Sequence, residues 1–580
     1  MVSKFKTSKI IIIIIIFLLI GISFFNAFGS SYYQKTSVKD EEIISMINND
    51  DINICNKPPG ISDGDLRLHI NPDPLNYFIH KKTFKSLGPL IPRPAYYRCS
   101  DGIFNLSSNK HIYVESCFQT DELIQIGEYL ASKLRPSTGF LINIFTTEVT
   151  PSNGIYLKIE NDISTFNDEG YTLNITEELI TLSAGHPKGL FRGIQTIRQL
   201  LPTYIEDDIV HPGPWLIKCG YIEDEPSLKW RGFMFDVCRH FFSVEKVKQY
   251  IDLLAYYKMN VFHWHLTDDQ GWRCEIESHP LLNTIGSYRG EDDYGGYYTK
   301  EEMIEVVEYA ADRYIEVIPE IEMPGHCVAA LASYPWLMCD PVEDINVSTQ
   351  WGVHSHVYCP GKNTTIDFLK TVLDEIVEMF PSPFIHIGGD EVPKSRWENC
   401  TYCQARMAEE DLEDEEELQH WFIKEIAWYL KNKHNRSIIG WSEGGVCEPG
   451  LPPDCIGQYW RVGYPPNYLA IYGYDVINSR FYAFYLDRNF PLATMYNYNI
   501  KHYTPDPYLH HILGAEAPIW TEFVSTENYL DDRVFPRLIA VAENSWTPDT
   551  KKDYNDFYNR LMKNLECLDY FGINYGSIIY

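Results

Sequence analysis

Apolar residues in the second half of this chain form short runs that alternate with segments of helical periodicity. Eight runs have the length and apolar composition of buried parallel strands. These predicted strands are Arg231–Val237, Val261–Thr267, Ile315–Ile321, Phe384–Gly389, Ser437–Trp441, Cys455–Trp460, Asp475–Phe481 and Leu513–Trp520. The helices predicted between or after them are Val244–Lys258, Lys300–Arg313, Thr365–Phe380, Glu416–Lys433 and Asp531–Asn544. This repeated strand–helix order predicts an α/β fold in which residues 221–580 form a (β/α)8 TIM barrel.

A different pattern precedes the barrel, over residues 90–220. The predicted strands there are His111–Glu115, Ile155–Ile159, Gly170–Ile175 and Leu179–Ser183, and the predicted helices are Glu122–Lys133 and Pro187–Leu201. Strands and helices mixed at this size predict a small α+β domain. We expect it to support the barrel, because it contains no cluster of catalytic residue types.

The first 29 residues carry the features of a secretory signal. Three lysines precede an apolar run over residues 10–25, and Ala27 and Gly29 supply the small residues that a signal peptidase recognises. We predict cleavage after Gly29, followed by a polar leader over residues 30–89. An uncleaved anchor is the alternative, because the apolar run nearly reaches spanning length. Cleavage implies a secreted or lysosomal protein with no stable membrane insertion.

The charge balance limits the partners of the protein. Lys and Arg number 49 against 80 Asp and Glu, which gives a formal net charge of −31. Nucleic-acid binding requires a basic surface, so we expect no nucleic-acid partner. An acidic balance suits a protein that works at low pH, and it also serves simple solubility.

The secretory route affects how the 14 cysteines are interpreted. In an oxidising compartment they are disulfide candidates first, and pairs Cys339–Cys359 and Cys447–Cys455 would each close a loop. Cys400 and Cys403 form a CxxC motif without a second pair at zinc spacing, which is a weak signal for a metal. Six predicted N-glycosylation sites also fit secretion: Asn105, Asn174, Asn346, Asn363, Asn399 and Asn435.

The strongest candidate chemistry lies in the stretch Phe384–Glu391, where an apolar run ends in two glycines and then Asp390 and Glu391. Alternation along a strand points adjacent side chains in opposite directions, so both acids reach one pocket only if the backbone leaves strand geometry there. The other predicted strand ends add carboxylates, histidines and aromatic rings: Asp236, His263, His265, Asp268, Asp269, Glu320, Glu322, His326, Trp441, Glu443, Trp460, Tyr485, Asp487, Glu516, Trp520 and Glu522. Carboxylates serve acid–base chemistry and aromatic faces stack on sugar rings, so this face predicts a carbohydrate site.

A metal centre is the competing interpretation of the same residues. His263 and His265 stand two residues apart on one predicted strand, near several carboxylates. A packed, hydrogen-bonded pair of histidines explains the spacing as well. We predict no metal and no cofactor.

Four motifs in order resemble family 20 glycoside hydrolases, the β-N-acetylhexosaminidases. They begin at Asp236, His263, Pro319 and His386, and they read DVCRHFF, HWHLTDDQGW, PEIEMPGH and HIGGDE. The resemblance extends over both predicted domains. It implies exo-acting, substrate-assisted retaining hydrolysis of a terminal N-acetylhexosamine, GlcNAc or GalNAc, and it suggests a homodimer.

The resemblance also implies residue roles. Glu391 would be the general acid/base and must carry a proton at the working pH, whereas Asp390 would hold the substrate's acetamido N–H. Asp268 and His326 would support Glu391 as a relay. The implied substrate-binding residues are Arg239, Trp441, Trp460, Tyr485, Asp487, Trp520 and Glu522.

Two departures leave part of the pocket open. The family usually places another tryptophan after the seventh-strand motif, where this chain has only tyrosines, and Tyr496 or Tyr498 is a candidate replacement. Arg488 either admits an acidic substituent on the sugar or pairs with Asp487. A glycan-binding protein without turnover and a lacto-N-biosidase-like enzyme are the alternative functions.

Overall fold

The computed structural model describes residues 88–160, 166–340, 345–443, 445–446, 448–461, 463 and 465–578. They fall within one compact unit, Phe84–Tyr580. The predicted signal, nearly all of the predicted leader and Cys447 lie outside the described residues.

The first domain is a seven-stranded mixed sheet. In spatial order its strands are Tyr96–Asn105, Leu216–Asp224, Tyr171–Ile175, Leu179–Ala184, Gly154–Ile159, Ile112–Glu115 and Ile144–Thr147. Helix Thr120–Thr138 packs on the sheet, and helix Pro187–Leu200 is buried along almost its whole length. That burial arises because the second helix lies between the sheet and the barrel, where Gln199 donates to the carbonyl of Tyr256 at 3.0 Å.

Buried ion pairs join this domain to the barrel. Glu169 accepts from Arg192 at 2.8 Å and also pairs with Arg231 of the first barrel strand. Burial opposes the charge on Glu169, but the two guanidinium groups outweigh it and lower its pKa to about 2. Lys258 pairs with Asp224 at 2.9 Å, with both side chains buried. The two domains are therefore fixed to each other by charges that burial makes costly to separate.

The barrel is closed and all neighbouring strands are parallel, which confirms the predicted fold. Its eight strands are Trp230–Asp236, Val261–His265, Glu316–Glu320, Phe384–His386, Ser437–Trp441, Ile456–Tyr459, Asp475–Asn478 and Ile512–Ile519. Each predicted strand coincides with an observed one, because these runs are buried on both faces and are largely apolar, although they also contain buried polar residues such as His263, Glu320 and Glu516.

Helices surround the barrel and extend its loops. They are Val244–Tyr256, Leu281–Thr284, Lys300–Ala311, Val328–Ser333, Asn363–Met379, Thr401–Glu410, Glu415–His434, Pro466–Ile471, Phe481–Phe484, Leu492–Asn497, Glu527–Val534, Arg537–Trp546 and Tyr554–Tyr570. The single predicted helix Asp531–Asn544 is wrong, since two helices meet at Pro536. Proline lacks the N–H that a continuous helix would use there.

The structure also bears on the predicted disulfide and on the predicted glycosylation sites. No disulfide joins Cys339 to Cys359, whose sulfurs converge instead with those of Cys400 and Cys403. The six predicted glycosylation asparagines are all exposed, as glycan attachment requires, and their modification stays a prediction. Within the described ranges, no helix combines the length and the apolar character needed to cross a bilayer.

Candidate active site

The backbone turns sharply at the end of the fourth barrel strand. Gly388, Gly389 and Glu391 have φ angles of 68°, 94° and 49°, all in the left-handed region. A Cβ at position 388 would lie 1.7 Å from Oε2 of Glu322, so only glycine fits there. The chain therefore leaves strand geometry at this point, and Asp390 and Glu391 both approach the same histidine.

That histidine is His326, at the end of the third strand. Its Nε2 lies 3.9 Å from Oδ2 of Asp390 and 3.9 Å from Oε2 of Glu391. Burial opposes a charge on the ring, but Asp268 and Asp269 outweigh it and raise the pKa of His326 well above its usual value. A cationic imidazolium thus faces both members of the acid pair.

Two adjacent aspartates hold the other side of the His326 ring. Nδ1 hydrogen-bonds Oδ2 of Asp269 at 3.1 Å, and Oδ1 of Asp268 is farther away at 3.6 Å. The predicted relay named Asp268 alone, so Asp269 is a contact that sequence reasoning did not single out. Oδ1 of Asp269 also accepts a hydrogen bond from the backbone N–H of Val328 at 3.1 Å, which holds the Asp269 carboxylate in place next to the ring.

Asp390 is nearly buried, with 8% of its surface exposed. Its Oδ1 has no hydrogen-bond partner in the described part of the chain. Burial is the largest cause of the raised pKa of Asp390, which is about 6. The nearby charges of Glu391 and Glu320 raise this pKa further, whereas the charge of His326 lowers it. An unpartnered buried carboxylate oxygen beside a pocket is a ready acceptor for a ligand N–H.

Glu391 stands further into solvent than its neighbour, with its side chain 33% exposed. Its backbone N–H donates to Oε1 of Glu443 at 3.1 Å. Arg461 pairs with the other oxygen of Glu443, and its Nη1 lies 3.8 Å from Oε1 of Glu391. Arg461 was not among the predicted site residues, although its position directly after Trp460 at the end of the sixth strand is a signal that could have identified it.

Arg239 is built into the pocket floor. Its Nη2 lies 2.7 Å from Oδ2 of Asp268, its Nη1 lies 3.4 Å from Oδ2 of Asp236, and its Nε donates to Gln270 at 3.1 Å. The guanidinium carbon is 4.9 Å from the centre of the Trp520 ring. These contacts hold the guanidinium plane in one orientation, which suits recognition of fixed oxygen positions.

Aromatic rings from four strand ends form one wall. The ring centres of Trp441 and Trp520 are 5.8 Å apart, and those of Trp520 and Tyr485 are 6.4 Å apart. Trp460 stacks on Tyr485 at 6.4 Å with an interplanar angle of 21°. The indole N–H of Trp460 is buried and has no acceptor among the described residues, whereas Trp441 donates to Glu320 at 2.9 Å.

Two further acids, Asp487 and Glu522, interact with each other at the ends of the seventh and eighth strands. Burial is the main cause that raises the pKa of Asp487 to about 6, and it also raises the pKa of Glu522. Arg488 pairs with Oδ2 of Asp487 at 2.8 Å, whereas Oδ1 finds no partner within the described ranges. One oxygen of Asp487 is therefore available to a ligand hydroxyl.

The two candidate replacements for the missing tryptophan lie elsewhere. Tyr496 donates to Glu543 at 3.1 Å and stacks on Phe557 of the C-terminal helix. Tyr498 packs edge-on against Phe484 at 5.2 Å. Among the described residues, neither tyrosine makes a ring contact with Trp441, Trp460, Tyr485 or Trp520.

The paired histidines of the second strand belong to the barrel interior. His263 lies 2.8 Å from Glu516 through Nδ1 and 3.0 Å from Glu320 through Nε2, and His265 also pairs with Glu320. Burial opposes their charge, but the carboxylates raise the pKa of His263 to about 9. His263 and His265 therefore have the packed, hydrogen-bonded arrangement that is the alternative to a metal centre.

A parallel barrel with an acid pair, fixed cations and close-packed aromatic rings at its carboxyl-terminal face is the architecture of a glycoside hydrolase. The model of the glycosyl hydrolase family 20 catalytic domain matches residues 228–549, and that of family 20 domain 2 matches residues 88–225. The chain belongs to glycosyl hydrolase family 20, which confirms the resemblance found in its motifs.

Individual relatives agree with this assignment. A β-hexosaminidase of Porphyromonas gingivalis is 41% identical over 505 residues, which cover 84% of this chain and 64% of that enzyme. The chain therefore spans somewhat less than two thirds of that relative. The β-N-acetylhexosaminidase of Streptomyces coelicolor A3(2) has a TM-score of 0.74 at 34% identity, covering 84% of this chain and 97% of its own. An exo-β-N-acetylglucosaminidase of Vibrio harveyi, solved with N-acetylglucosamine, has a TM-score of 0.76 at 32% identity, with coverages of 86% and 80%.

Proposed function

We propose that this protein is an exo-acting β-N-acetylhexosaminidase, which releases terminal GlcNAc or GalNAc by substrate-assisted retaining hydrolysis. The observation that carries the proposal is the unpartnered Oδ1 of the buried Asp390, next to the more exposed Glu391. Most retaining glycosidases need two carboxyl groups on opposite sides of the sugar. Two neighbouring acids suit a mechanism in which the substrate supplies its own nucleophile.

In the first step, the acetamido oxygen of the substrate attacks the anomeric carbon. The acetamido N–H donates to Asp390, whose negative charge stabilises the positive charge that develops on the ring formed. Glu391 gives its proton to the glycosidic oxygen, and the aglycone departs. The products of this step are a cyclic oxazolinium-type intermediate and an ionised Glu391.

In the second step, water opens the intermediate from the face that the aglycone left. Glu391 takes the proton of this water and regains its starting state. Two inversions at the anomeric carbon give net retention. The cationic His326, 3.9 Å from Oδ2 of Asp390, would favour the ionised form of Asp390 as positive charge develops on the intermediate.

The remaining site residues would bind the terminal sugar. Trp441, Trp460 and Trp520 would enclose the acetamido group and one ring face, and Tyr485 would donate to the acetamido oxygen. Arg239, Asp487 and Glu522 would bind the hydroxyls at the far side. The ion pair between Arg488 and Asp487 supports the interpretation in which Arg488 holds Asp487 and does not recognise an acidic substituent on the sugar.

The test is hydrolysis of p-nitrophenyl β-GlcNAc at mildly acidic pH by the wild type and by Glu391→Gln. We expect a loss of at least about a hundredfold in kcat, because the general acid/base is removed. An activated leaving group such as 2,4-dinitrophenol should restore much of the first step, since it departs without a proton. Glu398→Gln is the matched control, because Glu398 is an exposed acid on the same loop.

Equal rates for the wild type and Glu391→Gln would remove Glu391 from the mechanism. Tight binding of a GlcNAc-thiazoline inhibitor by a wild type that hydrolyses nothing would favour the non-catalytic glycan-binding protein. Release of an intact disaccharide from a longer substrate would favour the lacto-N-biosidase-like alternative.

We also propose that the protein acts after export, in a secreted or lysosomal setting, as an N-glycosylated protein that forms a homodimer. Support comes from the lysines that precede the apolar run of residues 10–25 and from the exposure of all six acceptor asparagines. Mass spectrometry of the protein purified from its own source tests cleavage after Gly29 and glycan attachment. Light scattering of the same sample tests the dimer.

A further inference from the structure

Four cysteines from two loops of the catalytic face converge on one point. Cys339 and Cys359 follow the third barrel strand, and Cys400 and Cys403 follow the fourth. The sulfur of Cys359 lies 3.7 Å from that of Cys400 and 3.6 Å from that of Cys403, and Cys339 lies 3.7 Å from Cys403. All four sulfurs lie within 4.8 Å of one another, and all four residues are at most 4% exposed.

These distances distinguish a disulfide from a metal site. A disulfide would place two sulfurs about 2.05 Å apart. Four thiolates at about 2.3 Å from a tetrahedral zinc ion would lie about 3.8 Å from one another. Three of the six sulfur–sulfur separations, at 3.6 to 3.7 Å, match the edges of such a tetrahedron, and the other three are at most 4.8 Å.

The local backbone supports negative charge on the sulfurs. Cys400 directly precedes helix Thr401–Glu410, and Cys403 lies in its first turn. The first N–H groups of a helix have no partner within it and carry partial positive charge, which favours thiolates nearby. Lys362 adds a full positive charge here, since its ammonium donates to the carbonyl of Met338, the residue before Cys339.

The surrounding apolar cluster is small and separate from the main core. Besides the cysteines, its buried members are only Val357, Trp397, Met407 and Leu418. Two hydrogen bonds join the two loops there. The indole N–H of Trp397 donates to the carbonyl of Tyr358 at 3.0 Å, and Arg396 donates to Nε2 of His356 at 2.6 Å. A small cluster of this kind contributes limited stability by itself, and a structural metal commonly supplies the remainder.

We propose that Cys339, Cys359, Cys400 and Cys403 bind one structural zinc ion that joins the loops after the third and fourth barrel strands. Each thiol loses its proton on binding, and no position remains for water or substrate. Val392, the residue after Glu391, packs against this cluster. The ion would therefore help to hold the proposed general acid in place, and it takes no part in the chemistry.

The proposal differs from both sequence-based expectations for these residues. The sequence predicted a Cys339–Cys359 disulfide, and it gave the CxxC motif little weight as a metal site. Cys339 and Cys359 are separated by about twenty residues, so they do not form a second CxxC motif that would indicate a zinc site in the sequence. Only the antiparallel pairing of Met338 with Tyr358 brings these two cysteines side by side.

The experiment measures metal content by mass spectrometry in full-length protein produced with added zinc salt and without an affinity tag that binds metals. We expect one zinc per chain in the wild type and less than a tenth of that in the double variant Cys400→Ser/Cys403→Ser. Cys567→Ala is the control, because Cys567 is a buried cysteine of the C-terminal helix outside the cluster, and it should keep the full zinc content.

A second measurement decides the case if the double variant does not fold. Wild-type protein produced with cobalt should show the visible absorption of tetrahedral cobalt–thiolate coordination, and added zinc should remove it. Any of three results would overturn the proposal. These are a wild type without stoichiometric zinc, an intact mass lower by the hydrogens lost in two disulfides, or iron in place of zinc.

Discussion

Replacing Asp390 with asparagine should stabilise the protein near neutral pH while it lowers the rate of hydrolysis. The pKa of Asp390 is raised from 3.8 to about 6 by burial and by neighbouring carboxylates. Each unit of pKa corresponds to about 1.36 kcal/mol, so the ionised form costs the folded state about 3 kcal/mol. Exposure of only 8% leaves little solvent screening to reduce that figure.

The sign of the pH dependence follows from linkage. Because the folded pKa is above the unfolded one, the folded state binds the proton more tightly, and stability falls as pH rises through this window. Below pH 3.8 the cost is absent, and above about pH 6 it is fully present. Asparagine carries no charge, so Asp390→Asn should gain up to about 3 kcal/mol in unfolding free energy at pH 7.5 and well under 1 kcal/mol at pH 4.

The catalytic effect should have the opposite sign. Asparagine can still accept a hydrogen bond from the acetamido group, but it offers no negative charge to the developing cation. Losses of about 10² to 10³ in kcat are typical when one preorganised electrostatic group is removed. If Asp390→Asn is more stable but hydrolyses the substrate much more slowly, the buried charge of Asp390 serves catalysis at a cost in stability.

Denaturant unfolding of the wild type and Asp390→Asn at both pH values measures the first effect, and steady-state kinetics measures the second. Glu391→Gln serves as the comparison, since a side chain that is a third exposed keeps much of its hydration and should change stability little. A gain that is the same at pH 4 and pH 7.5, or a loss at pH 7.5, would refute the reasoning.

Three further predictions follow from individual contacts. Gly388→Ala should destabilise the fold by more than about 3 kcal/mol or prevent folding, whereas Gly352→Ala, with positive φ but nothing within 4 Å, should cost only about 1 kcal/mol in thermal unfolding. Tyr485→Phe should lower kcat by about 10 to 100-fold with little change in KM, because the hydroxyl would act on the attacking acetamido oxygen; a pure KM effect would contradict that role. Asp269→Asn should lower the pKa of His326 and shift the pH–rate profile, and an unchanged profile would show that Asp268 alone maintains the charge of the ring.

The sequence predicted the barrel well because its signal is local. Each barrel strand is a largely apolar run, because a strand buried on both faces does not need the regular alternation of apolar and polar positions that marks a half-exposed strand. The first sheet was less predictable, and strand Tyr96–Asn105 was missed because it is a mostly exposed edge strand with few apolar positions. Leu216–Asp224 and Ile144–Thr147 were missed as well, the latter being a four-residue strand at the other edge.

The sequence could indicate which candidate site residues belong to one motif, but it could not indicate the contacts between motifs. The sequence places Asp268 and Asp269 side by side, but only the fold decides that Asp269 lies closer to His326. The convergence of Cys339 with Cys403, 64 residues apart, likewise depends on the packing of two loops. Such contacts have no periodicity that a sequence could display.

The central claim is that the substrate's own acetamido oxygen attacks the anomeric carbon. The most direct test compares kcat/KM of the wild type on p-nitrophenyl β-GlcNAc and on the matching β-glucoside, which has a hydroxyl in place of the acetamido group. We predict a preference of at least about a thousandfold for the acetamido substrate, because an intramolecular nucleophile is worth a very high effective concentration. Values within tenfold of each other would contradict the account.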